Sequence, residues 1–137
     1  MSEAKRWRLM LVDDHRILLD GIKTLLGAEP DMEITAEASD ARMALQLLQH
    51  LQLDLLITDY SLPDVQHTSF LKEIQTRFPQ LPVLVLSMHD EAEIIREVLA
   101  CGVKGYVLKS NSREELVKAI RNIRMGEQYV SPDVALK

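Results

Sequence analysis

Glycine is scarce in this chain, with five in 137 residues and no G-x-G-x-x-G run among them. That excludes a glycine-rich cradle for a nucleotide phosphate. Cysteine is rarer still: the single thiol, Cys101, rules out an internal disulfide framework and makes a reducing compartment the default. Positive charge is short as well. Sixteen Lys and Arg against 21 Asp and Glu leave a net charge of -5, whereas a surface that grips nucleic-acid phosphates needs clustered cations. No apolar run can span a membrane, and the run at residues 9–12 is too short for a signal-peptide core. With 47% apolar and 27% charged residues, the expectation is one soluble, cytoplasmic domain with a single core.

What is present is an alternation. Short Leu/Val/Ile-rich runs at residues 9–12, 53–58, 82–86 and 105–108 suit strands buried on both faces of a parallel sheet. A more open alternation at 32–38 suits an edge strand. Between them lie amphipathic stretches: Ile17, Leu18, Ile22, Leu25 and Leu26; Met43, Ala44, Leu47, Leu48 and Leu51; Ile94, Ile95, Val98 and Leu99; Leu116, Val117, Ile120 and Ile123. A less patterned helix at 68–78 is closed by Pro79. Gly27, Gly102 and Gly126 stand at helix ends, and the runs beginning at Ser112 and Asp90 have capping-box spacing. Five strands alternating with five helices imply an α/β sandwich, and the leading topology is a flavodoxin-like, doubly wound parallel sheet of order 2-1-3-4-5 with helices on both faces. Residues 127–137, broken by Ser131-Pro132, read as the start of a linker after a domain at 8–126.

Each buried strand runs out into a polar residue: Val12 into Asp13-Asp14, Thr58 into Asp59, Leu86 into Ser87, Leu108 into Lys109. Ligands of open α/β sheets bind outside those carboxyl ends. Three carboxylates about 4–5 Å apart would repel by roughly 3–4 kcal/mol per pair at an effective dielectric near 20. Mg²⁺ relieves that conflict, taking oxygen ligands and keeping several waters. A carboxylate beside it can act as nucleophile toward phosphorus, with Lys109 stabilising the phosphoryl oxygens and Ser87 hydrogen-bonding one of them. Asp13 and Asp14 are adjacent and suit the metal, whereas Asp59 stands alone on the central strand and suits the attack. Individually, Asp14 and Ser87 could be helix caps, Asp59 a loop residue and Lys109 a surface charge; their joint placement favours a site.

The stretches Leu11-Val12-Asp13-Asp14-His15, Ile57-Thr58-Asp59-Tyr60-Ser61-Leu62-Pro63, Val85-Leu86-Ser87-Met88-His89-Asp90 and Gly102-Val103-Lys104-Gly105-Tyr106-Val107-Leu108-Lys109 resemble the response-regulator receiver domains. Within them the likeness is to the group carrying a C-terminal LuxR-type helix-turn-helix. The resemblance implies that Asp13 and Asp14 hold Mg²⁺, with Asp59 and the backbone carbonyl of Ser61 beside them. It implies that Asp59 accepts phosphate from a histidine kinase or phosphotransfer protein, that Lys109 contacts the phosphoryl group, and that Ser87 and Tyr106 form a switch pair. Such a chain is a phosphoacceptor rather than an enzyme, touches DNA only through a further domain, and can form a homodimer through its first or last helix. Two departures stand out: residues 63–68 contain no glycine, and Ser110 replaces the proline that many receivers carry after the lysine.

Three alternatives compete. A cofactor binder would place a nucleotide phosphate against Asp13-Asp14, which repels it. A metal-dependent phosphatase shares the chemistry but needs a second acid to activate water. A phosphorylation-independent pseudo-receiver would act only as a protein-interaction module, against which the intact acid set argues. His15, His50, His67 and His89 show no metal-ligand spacing and are expected in solvent, although His89, two residues after Ser87, is placed to tune phosphate lifetime. Cys101 reads as a packing residue, and Arg113, Lys118, Arg121 and Arg124 as a solvated or dimer-forming helix face.

Overall fold

The structure is a computed structural model describing residues 6–66, 68–110 and 113–131. Strands β1 (Trp7–Val12), β2 (Met32–Ala38), β3 (Leu55–Asp59), β4 (Val83–Ser87), β5 (Gly105–Leu108) and β6 (Tyr129–Val130) form one sheet of order β2-β1-β3-β4-β5-β6. Every neighbouring pair is parallel. The connections are α1 (Arg16–Gly27), α2 (Ala41–Leu48), α3 (Ser69–Arg77), α4 (Ala92–Leu99) and α5 (Arg113–Arg124). The flavodoxin-like order expected from the alternation is therefore the one found.

Strand residues alternate between two cores, as the period of two requires. Met10, Val12, Leu56, Val85 and Tyr106 face α2, α3 and α4, packing with Ala44, Leu48, Phe70, Ile74, Ile95 and Val98. Leu9, Leu11, Ile57, Leu84, Leu86 and Val107 face α1 and α5, packing with Leu19, Ile22, Leu26, Leu116, Ile120 and Ile123. Continuous apolar runs at β3 and β4 follow from burial on both faces, whereas edge strand β2 keeps only Met32 and Ala38 buried. Gly102 and Gly126, after α4 and α5, hold φ of 88° and 90°, where a side chain would be strained.

The structure corrects several readings. Asp90 does not cap α4: the N-cap is Glu91, with no side-chain capping bond. The box expected at Ser112 begins outside the described residues. Arg121 is more than a solvated charge, since its guanidinium pairs with Glu29 and with Asp31 at 3.2 Å. Arg124 lies over the Trp7 ring and donates to the Asp31 carbonyl.

The sheet also has six strands where five were expected. Two residues are too few to show a period, so β6 was invisible inside the segment read as linker. Tyr129 N–H donates to the Lys104 carbonyl and Ser131 N–H to the Tyr106 carbonyl, both at 2.9 Å. The buried Ser131 hydroxyl accepts the Leu108 N–H at 3.1 Å and donates to Glu115. Ser131→Ala should therefore orphan a buried donor and lower stability by about 1–3 kcal/mol, read as a shifted urea midpoint at unchanged m-value. An unshifted midpoint would show that the Ser131 hydroxyl adds nothing beyond the backbone bonds that hold β6.

Candidate functional site

The site lies where β1, β3, β4 and β5 end. Asp13 N–H donates to the Ala38 carbonyl at 3.0 Å, extending the β1–β2 ladder by one step, and this holds the Asp13 carboxylate at the edge with 2% exposure. Asp14 follows in the turn and is exposed. Asp59, the last residue of β3, is 4% exposed, and Ser87, the last of β4, is 1% exposed. Lys109 follows β5 with its N–H on the Ser87 carbonyl at 2.8 Å.

Asp13, Asp14, Asp59 and Lys109 converge with one further residue, while Ser87 ends the neighbouring strand. Lys109 Nζ stands 2.9 Å from Asp59 Oδ2 and 3.4 Å from Asp13 Oδ2, its side chain only 12% exposed. Neither oxygen accepts a well-angled hydrogen bond, so these are ion pairs by distance and both carboxylates keep unused acceptor capacity. The other Asp59 oxygen, Oδ1, accepts the Ser61 N–H at 3.1 Å. Burial pushes the Asp59 carboxyl above its ordinary value of 3.8, with the Asp13 charge adding to the rise against the pull of Lys109 and the Ser61 N–H.

The fifth member is His15, which is exposed to solvent as expected but also touches the acids. The ring is open on one side, but Nδ1 faces the acids, 2.9 Å from Asp13 Oδ1, 3.3 Å from Asp14 Oδ1 and 3.7 Å from Asp59 Oδ2. Asp13, Asp14, His15 and Asp59 each present a ligand atom, all within 4.8 Å of one another. Spacing rules that look for ligands three or four residues apart on a helix pass over a histidine next to two aspartates.

Ser87 and Tyr106 both reach His89, and the Ser87 side chain also lies within hydrogen-bonding reach of the Tyr106 hydroxyl. Ser87 Oγ accepts the His89 N–H at 3.0 Å, and Tyr106, fully buried, donates its hydroxyl to the His89 carbonyl at 2.7 Å. The His89 ring packs edge-on to Tyr60 with centroids 5.3 Å apart, and Nδ1 lies 3.4 Å from Glu91. It is therefore half-buried and engaged rather than solvated, whereas His50 is exposed as expected and His67 lies outside the described residues. Cys101 is a packing residue, as read: it is buried, its thiol donates to the Glu97 carbonyl, and burial raises its pKa.

The glycine-free segment after Pro63 has its own use. Asp64 accepts the Ala41 and Arg42 N–H groups at 3.0 and 2.9 Å, capping α2 from another loop. Partial burial works to raise its carboxyl, but those donors outweigh it and leave the pKa lowered. No cis peptide bond occurs among the described residues, as expected with Ser110 after Lys109.

The family model of the response regulator receiver domain matches residues 9–121. The chain belongs to that family. The receiver is 31% identical over 127 residues to the transcriptional regulatory protein DegU of Brevibacillus brevis, covering 93% of this chain and 54% of DegU. It thus spans about half the length of that relative. Among solved structures it is similar to a LuxR-family two-component response regulator from Aurantimonas sp. SI85-9A1, at 32% identity and a TM-score of 0.89, covering 95% of this chain and 93% of that one. It is also similar to RcsB in a structure of two dimers bound to two parallel DNAs, at 28% identity and a TM-score of 0.90, covering 95% and 66%. Its relatives are thus LuxR-family regulators. No helix among the described residues is long and apolar enough to cross a membrane.

Proposed function

We propose that the receiver accepts a phosphoryl group on Asp59 from the phosphohistidine of a histidine kinase or phosphotransfer protein, in a Mg²⁺-dependent reaction in the cytoplasm. The observation that carries this reading is the pair of buried carboxylate oxygens, Asp13 Oδ2 and Asp59 Oδ2, that share a single ammonium, Lys109, at the sheet edge. Oxygen donors with spare capacity suit a hard cation. The ligands would be Asp13, Asp14, Asp59 and the Ser61 carbonyl, and Mg²⁺ bound there supplies positive charge against the acids and the incoming phosphoryl oxygens.

The rest of the chemistry belongs to the protein. An Asp59 carboxylate oxygen attacks phosphorus, the P–N bond of the donor breaks, and its electron pair returns to the imidazole, leaving an acyl phosphate. Lys109 ion-pairs a phosphoryl oxygen. Ser87 already accepts from His89 N–H and keeps its own proton to donate to another phosphoryl oxygen. That new bond pulls on the loop that Tyr106 also grips, which is how Ser87 and Tyr106 would act as a switch on the face of α4, β5 and α5. The protein so described is a signalling phosphoacceptor. With transcriptional and DNA-bound relatives, its output is a DNA-binding domain beyond the receiver, reached through chain that follows β6 and Ser131 rather than from residue 127, and used as a homodimer.

Intact-mass spectrometry after incubation with acetyl phosphate tests this, with and without Mg²⁺, on wild type and Asp59→Asn. One added phosphoryl group that requires both Mg²⁺ and Asp59 is the expected result. A wild type that stays unmodified beside a receiver that labels would make this a pseudo-receiver.

A further inference from the structure

The carboxyl end of β5 is gripped from two sides. On one side the Lys109 N–H reaches the Ser87 carbonyl of β4 at 2.8 Å. On the other, the Leu108 N–H turns toward the residue that follows β6. The backbone register between β5 and β6 ends with Tyr106 opposite Val130, and Pro132 has no N–H with which to extend it. A side chain takes over. Ser131 N–H donates to the Tyr106 carbonyl at 2.9 Å, and Ser131 Oγ accepts the Leu108 N–H at 3.1 Å. The same hydroxyl donates to the Glu115 carboxylate in the first turn of α5. Bonds in such a chain polarise one another, so the carboxylate makes Oγ a better acceptor for Leu108. Ser131 is 1% exposed, and its hydroxyl thus ties β5, α5 and the chain after β6 at one buried point.

We propose that Ser131 is a positioning residue for phosphoryl acceptance: it fixes the strand end that carries Lys109 and couples the chain beyond β6 to the state of Asp59. The inference rests on the reading of Asp59 as phosphoacceptor and of Lys109 as the cation facing the phosphoryl oxygens. Lys109 Nζ stands 2.9 Å from Asp59 Oδ2, and a charge stabilises a transferring group only while it is held in place beforehand. Without the Ser131 hydroxyl, Leu108 N–H loses its acceptor and the Lys109 backbone is anchored from β4 alone. The coupling is reciprocal. A clamp that favours an occupied Asp59 is tightened by that occupancy, so phosphorylation firms the hold on Ser131 and on the chain that follows. An output that pulls Ser131 away weakens the phosphorylated state by the same linkage.

Beryllofluoride, a phosphoryl analogue that binds at equilibrium, tests this in the presence of Mg²⁺. Fluorine NMR titrations would compare the 137-residue wild type with Ser131→Ala and with Ile123→Val, a control that loosens α5 packing in the core without touching Leu108. Ser131→Ala is expected to bind about fivefold more weakly, the equivalent of one ordinary hydrogen bond, with Ile123→Val within about twofold of wild type. Amide exchange on the wild type gives the reciprocal measurement and needs no variant to fold. With beryllofluoride bound, the Leu108 and Ser131 N–H groups should exchange up to about fivefold more slowly, while the Trp7 N–H at the start of β1 is unchanged. Equal affinities for Ser131→Ala and wild type overturn the inference and leave the Asp59 chemistry intact. So do an equally weakened Ile123→Val, or Leu108 and Ser131 amides that exchange as before. A wild type that binds no beryllofluoride overturns the phosphoacceptor reading, and the coupling with it.

Discussion

Replacing Lys109 with methionine is expected to destabilise the receiver by about 3–5 kcal/mol at pH 7.5 in metal-free buffer, the usual cost of leaving buried charges unpaired. The Lys109 side chain is nearly buried, so solvent screening does not dilute the effect, and it faces two carboxylates that are themselves almost fully covered. Methionine preserves most of the volume, which keeps packing out of the measurement. Acid should rescue the variant. In wild type the Asp59 carboxyl already sits above 3.8, and Lys109 is the first influence holding it down; without that ammonium it rises further. A carboxyl whose folded pKa is raised favours folding below its unfolded value and loses that contribution as pH climbs through the folded value. The deficit of Lys109→Met is therefore full at neutral pH and shrinks as pH falls toward the carboxyl range. By the same sign, Asp59→Asn should unfold no more easily than wild type in metal-free buffer, and the double variant should lose less than the two single losses summed. Urea titrations at neutral and acid pH measure all of this. A Lys109→Met midpoint equal to wild type at pH 7.5 would mean that the two carboxylates are not charged together in the folded receiver.

How much of this could be read from the residues depended on the length of each signal. β3 and β4 are runs of five residues buried on both faces, and such runs survive any uncertainty about periodicity. Once the strands are placed, the doubly wound rule brings Asp13, Asp59, Ser87 and Lys109 to one edge without further information, which is why those residues were legible. The two-residue β6 has no period, and it holds through backbone bonds to Lys104 and Tyr106 that no composition reveals. Asp64 caps α2 from 22 residues away, and a capping rule that scans only the adjacent turn cannot find it. His15 was missed for a related reason. Its position among the acids is set by one local bond from its N–H to Asp13, a property of turn geometry rather than of spacing.

Tyr106 offers the other large effect, because two substitutions at one position separate packing from switching. Its side chain is fully buried among α3- and α4-facing residues such as Val85, Ile95 and Val98. Tyr106→Ala is expected to cost about 3–5 kcal/mol, from lost transfer free energy and the cavity left behind. Tyr106→Phe keeps the ring and removes only the hydroxyl that donates to the His89 carbonyl, so its cost should be near 1 kcal/mol. Ser87 holds the same residue through the His89 N–H, so both side chains grip His89 besides touching each other. In Tyr106→Phe that residue is held from one side only. The His89 and Ser87 amide resonances should therefore shift in the phenylalanine variant while the resonances of α1 and β2 stay in place. On phosphorylation of the variant, the change should stop at Ser87 rather than reach β5. Phenylalanine costing as much as alanine would place the stabilisation in the hydroxyl's hydrogen bond rather than in packing of the ring. A phenylalanine variant whose β5 amides still move on phosphorylation as in wild type would show that the signal leaves Ser87 by another path than the His89 carbonyl.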